Sequence, residues 1–223
     1  MLQYLKSAVV RLGGEPWLEA RRPRRRADLM KRIGVAFVHV PRTAGMSIAT
    51  QLYGRFLGHF PVSALLAVRD PALLALPRFT VVRNPWERLA SAYYFAARGG
   101  GSGALVARID PHVRVQIGAI PSFERFVKEW LPQQPLMRID GVLRPQVYYV
   151  VAPDGTVPFD HVGRQEDLAA TEAWLSGILG RDIRFPLTNQ SSRDDRHREF
   201  DAEMRDIVAQ LYADDIARFG YAF

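Results

Sequence analysis

Two segments of the sequence share one order of elements: a short apolar run, a polar loop and a helical pattern. In the first, residues 34–40 (GVAFVHV) predict a buried strand, and the loop PRTAGMS follows at residues 41–47. Apolar residues then recur at Ile48, Leu52 and Phe56, which is a helical spacing. This order is typical of chains that form a parallel sheet covered by helices.

The second segment begins with the strand pattern RFTVV at residues 78–82. Asn84 is a favourable N-cap, Pro85 suits the first helical position, and Glu87 completes a pattern that resembles a capping box. We expect this helix to continue to about Arg98, where three glycines stop it.

The rest of the chain continues the alternation of predicted strands and helices. Its composition predicts strands at residues 146–151 (QVYYVV) and 159–164, and helices at residues 120–131, 166–180 and 199–220, the last as one long helix or two short ones. The predicted fold class is therefore α/β, with a P-loop-like central parallel sheet flanked by helices on both faces.

The positive charge of the chain is concentrated at its start. Residues 1–32 hold nine Lys and Arg against three acidic residues, whereas the other 191 residues hold 21 against 20. We therefore predict a basic N-terminal arm with a short helix over residues 1–32 and a single domain over residues 33–223. The arm is either a solvated linker or a contact for a polyanion or an anionic membrane. Because the body is nearly neutral and lacks a nucleic-acid-binding motif, we expect no nucleic-acid partner.

Composition excludes several other classes of protein. There is no cysteine, so a disulfide scaffold, a thiolate metal site and a cysteine nucleophile are all excluded. No apolar run approaches the roughly 20 residues of a membrane span, and the first residues do not resemble a signal peptide. We expect a soluble, cytoplasmic protein, with peripheral membrane contact through the arm left open.

The first loop has the composition of an anion-binding site. Consecutive backbone N–H groups at a helix N-terminus attract anions, and Gly45 permits close approach. Arg42 adds a guanidinium cation with paired N–H donors, and Thr43 and Ser47 add hydroxyl groups. The loop lacks the leading glycine and the final Gly-Lys-[Ser/Thr] of a Walker A motif, which disfavours a phosphoryl-transferring enzyme.

The second loop suggests a further anion site at the same edge of the sheet, because parallel strands open their loops at their carboxyl ends. Arg83, Ser91 and the first amides of the helix could surround a phosphate. The structural alternative is that Arg83 pairs with a carboxylate and that Ser91 is a packed small residue. Taken together, the two loops suit a ligand with anionic groups at both ends.

These loops also carry a resemblance to a known family. FVHVPRTAGMSI at residues 37–48 resembles the 5′-phosphosulfate loop of sulfotransferases, and VVRNPWERLASAYYF at residues 81–95 resembles their 3′-phosphate motif. The likeness is greatest to the carbohydrate-type branch, which includes heparan and chondroitin enzymes and bacterial relatives. It implies a P-loop-like α/β fold and transfer of a sulfuryl group from 3′-phosphoadenosine-5′-phosphosulfate, without a metal, to an acceptor hydroxyl or amine.

The resemblance also assigns residues to the donor. It places the 5′ end in the loop formed by Arg42, Thr43, Ala44, Gly45, Met46 and Ser47. It places Arg83 and Ser91 at the 3′-phosphate. More loosely, it places Asn189, Ser191, Ser192 and Arg193 in a late loop that closes over the nucleotide.

One position departs from the family pattern, since Arg42 stands where a lysine is usual. Arginine keeps the charge that stabilises a leaving phosphate, but it is not a compact point charge and does not give up a proton. A non-catalytic, nucleotide-binding or polyanion-binding relative is therefore the alternative function.

The acceptor hydroxyl requires a base. The resemblance points to His59, which lies between the two motifs, and histidine titrates near neutral pH. His112 or a carboxylate is the alternative base, whereas His39 is expected to be a buried, hydrogen-bonded strand residue. The expected acceptor is a glycan or glycolipid, and we expect residues 98–145 to determine specificity.

Overall fold

The computed structural model describes residue 24 and residues 26–100, 109–186 and 199–223. The strands are β1 (Ala36–Val38), β2 (Arg78–Val82) and β3 (His161–Arg164). The helices are α1 (residues 26–33), α2 (Gly45–Tyr53), α3 (Val62–Leu66), α4 (Pro71–Leu74), α5 (Pro85–Ala97), α6 (Pro111–Gly118), α7 (Phe123–Arg125), α8 (Val147–Val150), α9 (Leu168–Leu179), α10 (Ala202–Leu211) and α11 (Ala213–Phe219). A π-helical segment (Phe126–Trp130) and a 3₁₀ turn (Leu131–Gln133) continue α7.

The described strands form one parallel sheet in the order β1-β2-β3. Val38 pairs with Thr80 on β2, and Val82 pairs with Arg164 on β3, so the carboxyl ends of all three strands lie at one edge. Helices pack around this sheet, and the predicted α/β class is confirmed. Both motif loops open at the same edge, as parallel pairing requires.

The apolar interior is divided between two clusters. The first surrounds the sheet, with Phe37, Phe79 and Ile48 fully buried, and it includes Ala27 and Met30 of α1. The packed interior therefore reaches into the segment that we assigned to the basic arm. The second cluster joins α5 to the π-helical segment and α10 through Tyr93, Phe126 and other apolar residues. The arm residues before Arg24 lie outside the described residues.

The prediction of a strand at residues 146–151 is wrong, because Val147–Val150 is the helix α8. The β-branched and aromatic residues favoured a strand, but a distant side chain overrides that preference. Asp215 on α11 accepts hydrogen bonds from the backbone N–H groups of Gln146 and Val147, both at 2.8 Å, and thereby caps the helix.

Most other predicted elements are confirmed with shifted ends. Asn84 caps α5 and Ser122 caps α7, and the segment at residues 199–220 forms two helices, the second of the two predicted alternatives. Among the described helices, none combines the length and the apolar composition that crossing a bilayer demands.

Candidate functional site

The first loop is built from an unusual backbone. Arg42 and Ala44 have φ angles of 70° and 63°, which are rare for residues with a side chain. Thr43 between them is fully buried, and its hydroxyl donates to the Val40 carbonyl at 2.8 Å. Thr43 therefore uses its hydroxyl proton to close the loop. Strained backbone of this kind is often found at functional sites, where surrounding structure holds it in place.

Helix α2 begins at Gly45 without a side-chain cap. Its N-cap residue is Ala44, which cannot accept a hydrogen bond through its side chain. The amides of Ser47 and Ile48 donate to the Ala44 carbonyl, and Ala44 offers no side-chain acceptor to the amides of Gly45 and Met46. This end of α2 therefore carries the partial positive charge that binds anions.

The side chain of Arg42 connects the two motifs. Its Nε and Nη2 atoms donate to the Ser91 hydroxyl on α5 at 3.1 and 2.9 Å. Its guanidinium carbon lies 4.5 Å from the centre of the Phe95 ring. The structure thus brings together two residues that were assigned to opposite ends of the donor.

His39 lies directly against the start of α2. A Cβ atom on Gly45 would come within 1.9 Å of Cδ2 of the His39 ring, so the space beside this glycine is already occupied. His39 is buried, as predicted, but its Nδ1 has no hydrogen-bond partner within the described ranges. Burial, together with the nearby His59 and Arg42, holds the pKa of His39 well below its ordinary value.

The predicted base His59 lies next to His39. Its Nδ1 is 3.1 Å from the His39 carbonyl oxygen, and the two ring centres are 4.3 Å apart. Because a carbonyl oxygen can only accept, Nδ1 of His59 carries the proton and Nε2 carries the lone pair in the neutral ring. A half-buried imidazole is thus held near the first loop in the tautomer that accepts a proton at Nε2.

The second loop is held by side chains from elsewhere in the chain. Gln146 is fully buried, accepts from the Arg83 N–H at 2.9 Å and donates to the Arg83 carbonyl at 2.8 Å. Glu166 accepts from the Asn84 N–H at 2.7 Å. Sequence reasoning missed Gln146 and Glu166; the only available signal was the unusual polarity of Gln146 at the start of an apolar run.

The guanidinium of Arg83 contacts Glu87, with Nη2 to Oε2 at 3.1 Å. This is the pairing expected of a structural arginine, and it involves the carboxylate that we predicted to complete a capping box. The Asn84 side chain accepts from the amides of Trp86 and Glu87, so these first amides of α5 are already engaged. Asn84 therefore occupies two of the amides that the sequence suggested for a phosphate, and a phosphate site at this loop stays a prediction.

The remaining predicted residues are more distant or undescribed. His112 is exposed in the first turn of α6, and His161 contacts Thr171 while its ring stacks on Trp174. The late loop with Asn189, Ser191, Ser192 and Arg193 lies outside the described residues. Within the described ranges, no three acidic or histidine side chains converge in a way that could hold a metal ion.

Similarity to known proteins shows the family of this chain. A sequence model of the Sulfotransferase family matches residues 69–222, which include the second loop, α8 and β3. The chain belongs to this family, so it is a transferase of sulfuryl groups that uses a sulfate donor as co-substrate. The match begins after the first loop. No curated protein and no solved structure matches the chain.

Proposed function

We propose that the protein transfers a sulfuryl group from 3′-phosphoadenosine-5′-phosphosulfate to an acceptor hydroxyl. The observation that carries this proposal is the convergence of three features at one sheet edge. They are the uncapped start of α2, the guanidinium of Arg42 and the imidazole of His59 in its proton-accepting tautomer. An anion cradle beside a base is what in-line transfer from a phosphosulfate requires.

In the proposed reaction, the acceptor oxygen forms a bond to sulfur as the bond between sulfur and the bridging phosphate oxygen breaks. Nε2 of His59 takes the acceptor proton, which makes the oxygen a better nucleophile. Arg42 and the first amides of α2 stabilise the negative charge that develops on the leaving 3′-phosphoadenosine-5′-phosphate. Arginine suffices here because the role is electrostatic and needs no proton transfer.

Calorimetric titration of the purified protein with 3′-phosphoadenosine-5′-phosphate, without magnesium and with ATP as the control, tests the donor assignment. We expect micromolar binding and a clear preference over ATP. Absence of binding by folded protein would favour the alternative of a non-catalytic or polyanion-binding relative. In that case, affinity for a polyanion should depend steeply on salt and on the basic residues 21–32.

Arg83 and His59 can be tested separately. Arg83→Ala should weaken nucleotide binding by about 2–3 kcal/mol if the guanidinium contacts the 3′-phosphate, whereas Arg138→Ala on the exposed surface should not. His59→Ala should leave nucleotide affinity nearly unchanged and lower turnover by about 10²–10⁴-fold. Unchanged turnover would move the base to His112 or to a carboxylate.

For the acceptor we propose a glycan or glycolipid, and a cleft favours the glycolipid. It measures about 970 Å³ and lies between α3, α8 and α11. Its lining includes Pro61, two residues after His59, and is mostly apolar, as at Ala64 and Val147, with the charged Asp214 and Arg218 contributed by α11. An apolar lining suits a lipid chain better than a sugar, whose hydroxyl groups need polar partners. Sulfation of octyl glucoside should therefore exceed that of glucose; equal rates would remove the cleft from acceptor binding.

A further inference from the structure

The His39 ring lies between the two halves of the proposed reaction. On one side it fills the space beside Gly45, and its Nε2 is 2.2 Å from the point that a Gly45 Cβ would occupy. On the other side its ring centre is 4.3 Å from that of His59. In the proposed function, the loop holds the phosphate and His59 activates the acceptor. The sulfuryl group must pass between them, and it therefore passes His39.

Burial restricts the protonation state of His39. The side chain is 4% exposed, and Arg42 and His59 are the basic groups that face it. A second positive charge in this enclosed position would be costly, so the imidazole is neutral and carries one N–H.

The position of that proton follows from the hydrogen bonds. Nδ1 of His39 is buried and has no partner among the described residues. Buried N–H groups without an acceptor are rarer than acceptors without a donor, so Nδ1 is assigned the lone pair. The N–H is then on Nε2, the nitrogen beside Gly45 at the anion-binding end of α2.

We propose that His39 is a further catalytic residue, whose Nε2–H donates a hydrogen bond to an oxygen of the sulfuryl group during transfer. This inference rests on the proposed function. A neutral donor suits the role because it stabilises charge on the sulfuryl oxygens without competing with His59 for the acceptor proton. A single donor of this kind typically contributes about 10²–10³-fold in rate.

Two variants distinguish the hydrogen bond that His39 donates from the packing of its ring against Gly45. His39→Phe keeps a planar ring beside Gly45 and removes the N–H, whereas His39→Gln supplies an amide N–H at a comparable reach. Each variant is titrated by calorimetry with 3′-phosphoadenosine-5′-phosphate, which lacks the sulfuryl group, and with the intact phosphosulfate. Release of sulfate from the phosphosulfate to water gives the rate without an identified acceptor.

We expect His39→Phe to bind 3′-phosphoadenosine-5′-phosphate within about twofold of wild type, to bind the phosphosulfate more weakly and to release sulfate about 10²-fold more slowly. His39→Gln should recover part of both losses. An equal loss of affinity for both nucleotides would overturn the inference, because it would show that His39 only supports the loop. Wild-type sulfate release by His39→Phe would overturn it as well. Failure of the wild-type protein to bind either nucleotide would instead overturn the proposed function, and the inference with it.

Discussion

The two motif loops leave neighbouring strands at the same edge, but they are held in different ways. The loop after β1 is closed within itself, by positive φ angles at Arg42 and Ala44 and by the hydrogen bond from the Thr43 hydroxyl to the Val40 carbonyl. The loop after β2 is held by side chains: Asn84 caps α5, and Gln146 and Glu166 bind its backbone.

This difference determines what each loop can offer to a ligand. At the start of α2 the N-cap residue Ala44 gives the amides of Gly45 and Met46 no side-chain acceptor, whereas the first amides of α5 are engaged by Asn84. The second loop therefore offers a ligand its side chains rather than the first amides of its helix. Similar sequence patterns thus produce one helix start without a side-chain cap and one that is capped by Asn84.

The largest expected effect comes from removing the support of the second loop. Gln146→Leu leaves the N–H and the carbonyl of Arg83 without the partners that they now have. Because each unsatisfied buried group costs about 1–3 kcal/mol, we expect the free energy of unfolding to fall by about 2–5 kcal/mol in urea denaturation. Gln133→Leu, on an exposed turn, is the control and should change it little. If the two variants change the free energy of unfolding equally, Gln146 does not support the second loop.

The stability of the first loop should depend instead on the side-chain volume at Gly45. Gly45→Ala drives a methyl group into the His39 ring, since the new Cβ would lie 1.9 Å from Cδ2. We expect a loss of about 1–3 kcal/mol in unfolding free energy, together with weaker nucleotide binding. At Gly118 a Cβ meets no atom within 4 Å, so Gly118→Ala is the matched control. If His39 causes the effect, adding His39→Ala should restore stability to the Gly45→Ala protein.

His39 should also make stability depend on pH. Burial lowers the pKa of His39 below its ordinary value of 6.5, so the unfolded chain binds the proton more tightly than the folded one. The contribution of His39 to the free energy of unfolding is therefore fully present above pH 6.5. It is lost as the pH decreases, by at most about 1.4 kcal/mol per pH unit for one group. His161, whose pKa is lowered by partial burial, acts in the same direction. Urea denaturation between pH 5 and 7.5 should give a smaller slope for His39→Phe than for wild type; parallel curves would contradict this account.

The smallest effect concerns the cap of α5. Asn84→Ala removes the acceptor for the amides of Trp86 and Glu87, and we expect a loss of about 1 kcal/mol in thermal or urea unfolding. Ser122→Ala removes the cap of α7 and should cost a similar amount. Only the Asn84 variant should change nucleotide affinity, because only that cap lies in a motif loop. If both variants leave nucleotide affinity unchanged, the second loop contributes to binding less than we propose.

Local patterns were sufficient for many elements of the fold. The β2 strand, the start of α5 and the Ser122 cap could be predicted because each depends on residues within a few positions along the chain. The region 146–151 could not, because Asp215, almost seventy residues away, caps it as a helix. Its composition alone favoured a strand.

The sequence by itself determined the α/β class, the two loops and the family resemblance, since these depend on local order and on motif spacing. The tertiary structure alone decided that Arg42 contacts Ser91, that Gln146 supports Arg83, and that His39 lies between Gly45 and His59. These contacts join residues that are distant along the chain. They arise only when the parallel sheet brings its loops to one edge, and short-range preferences carry no information about such contacts.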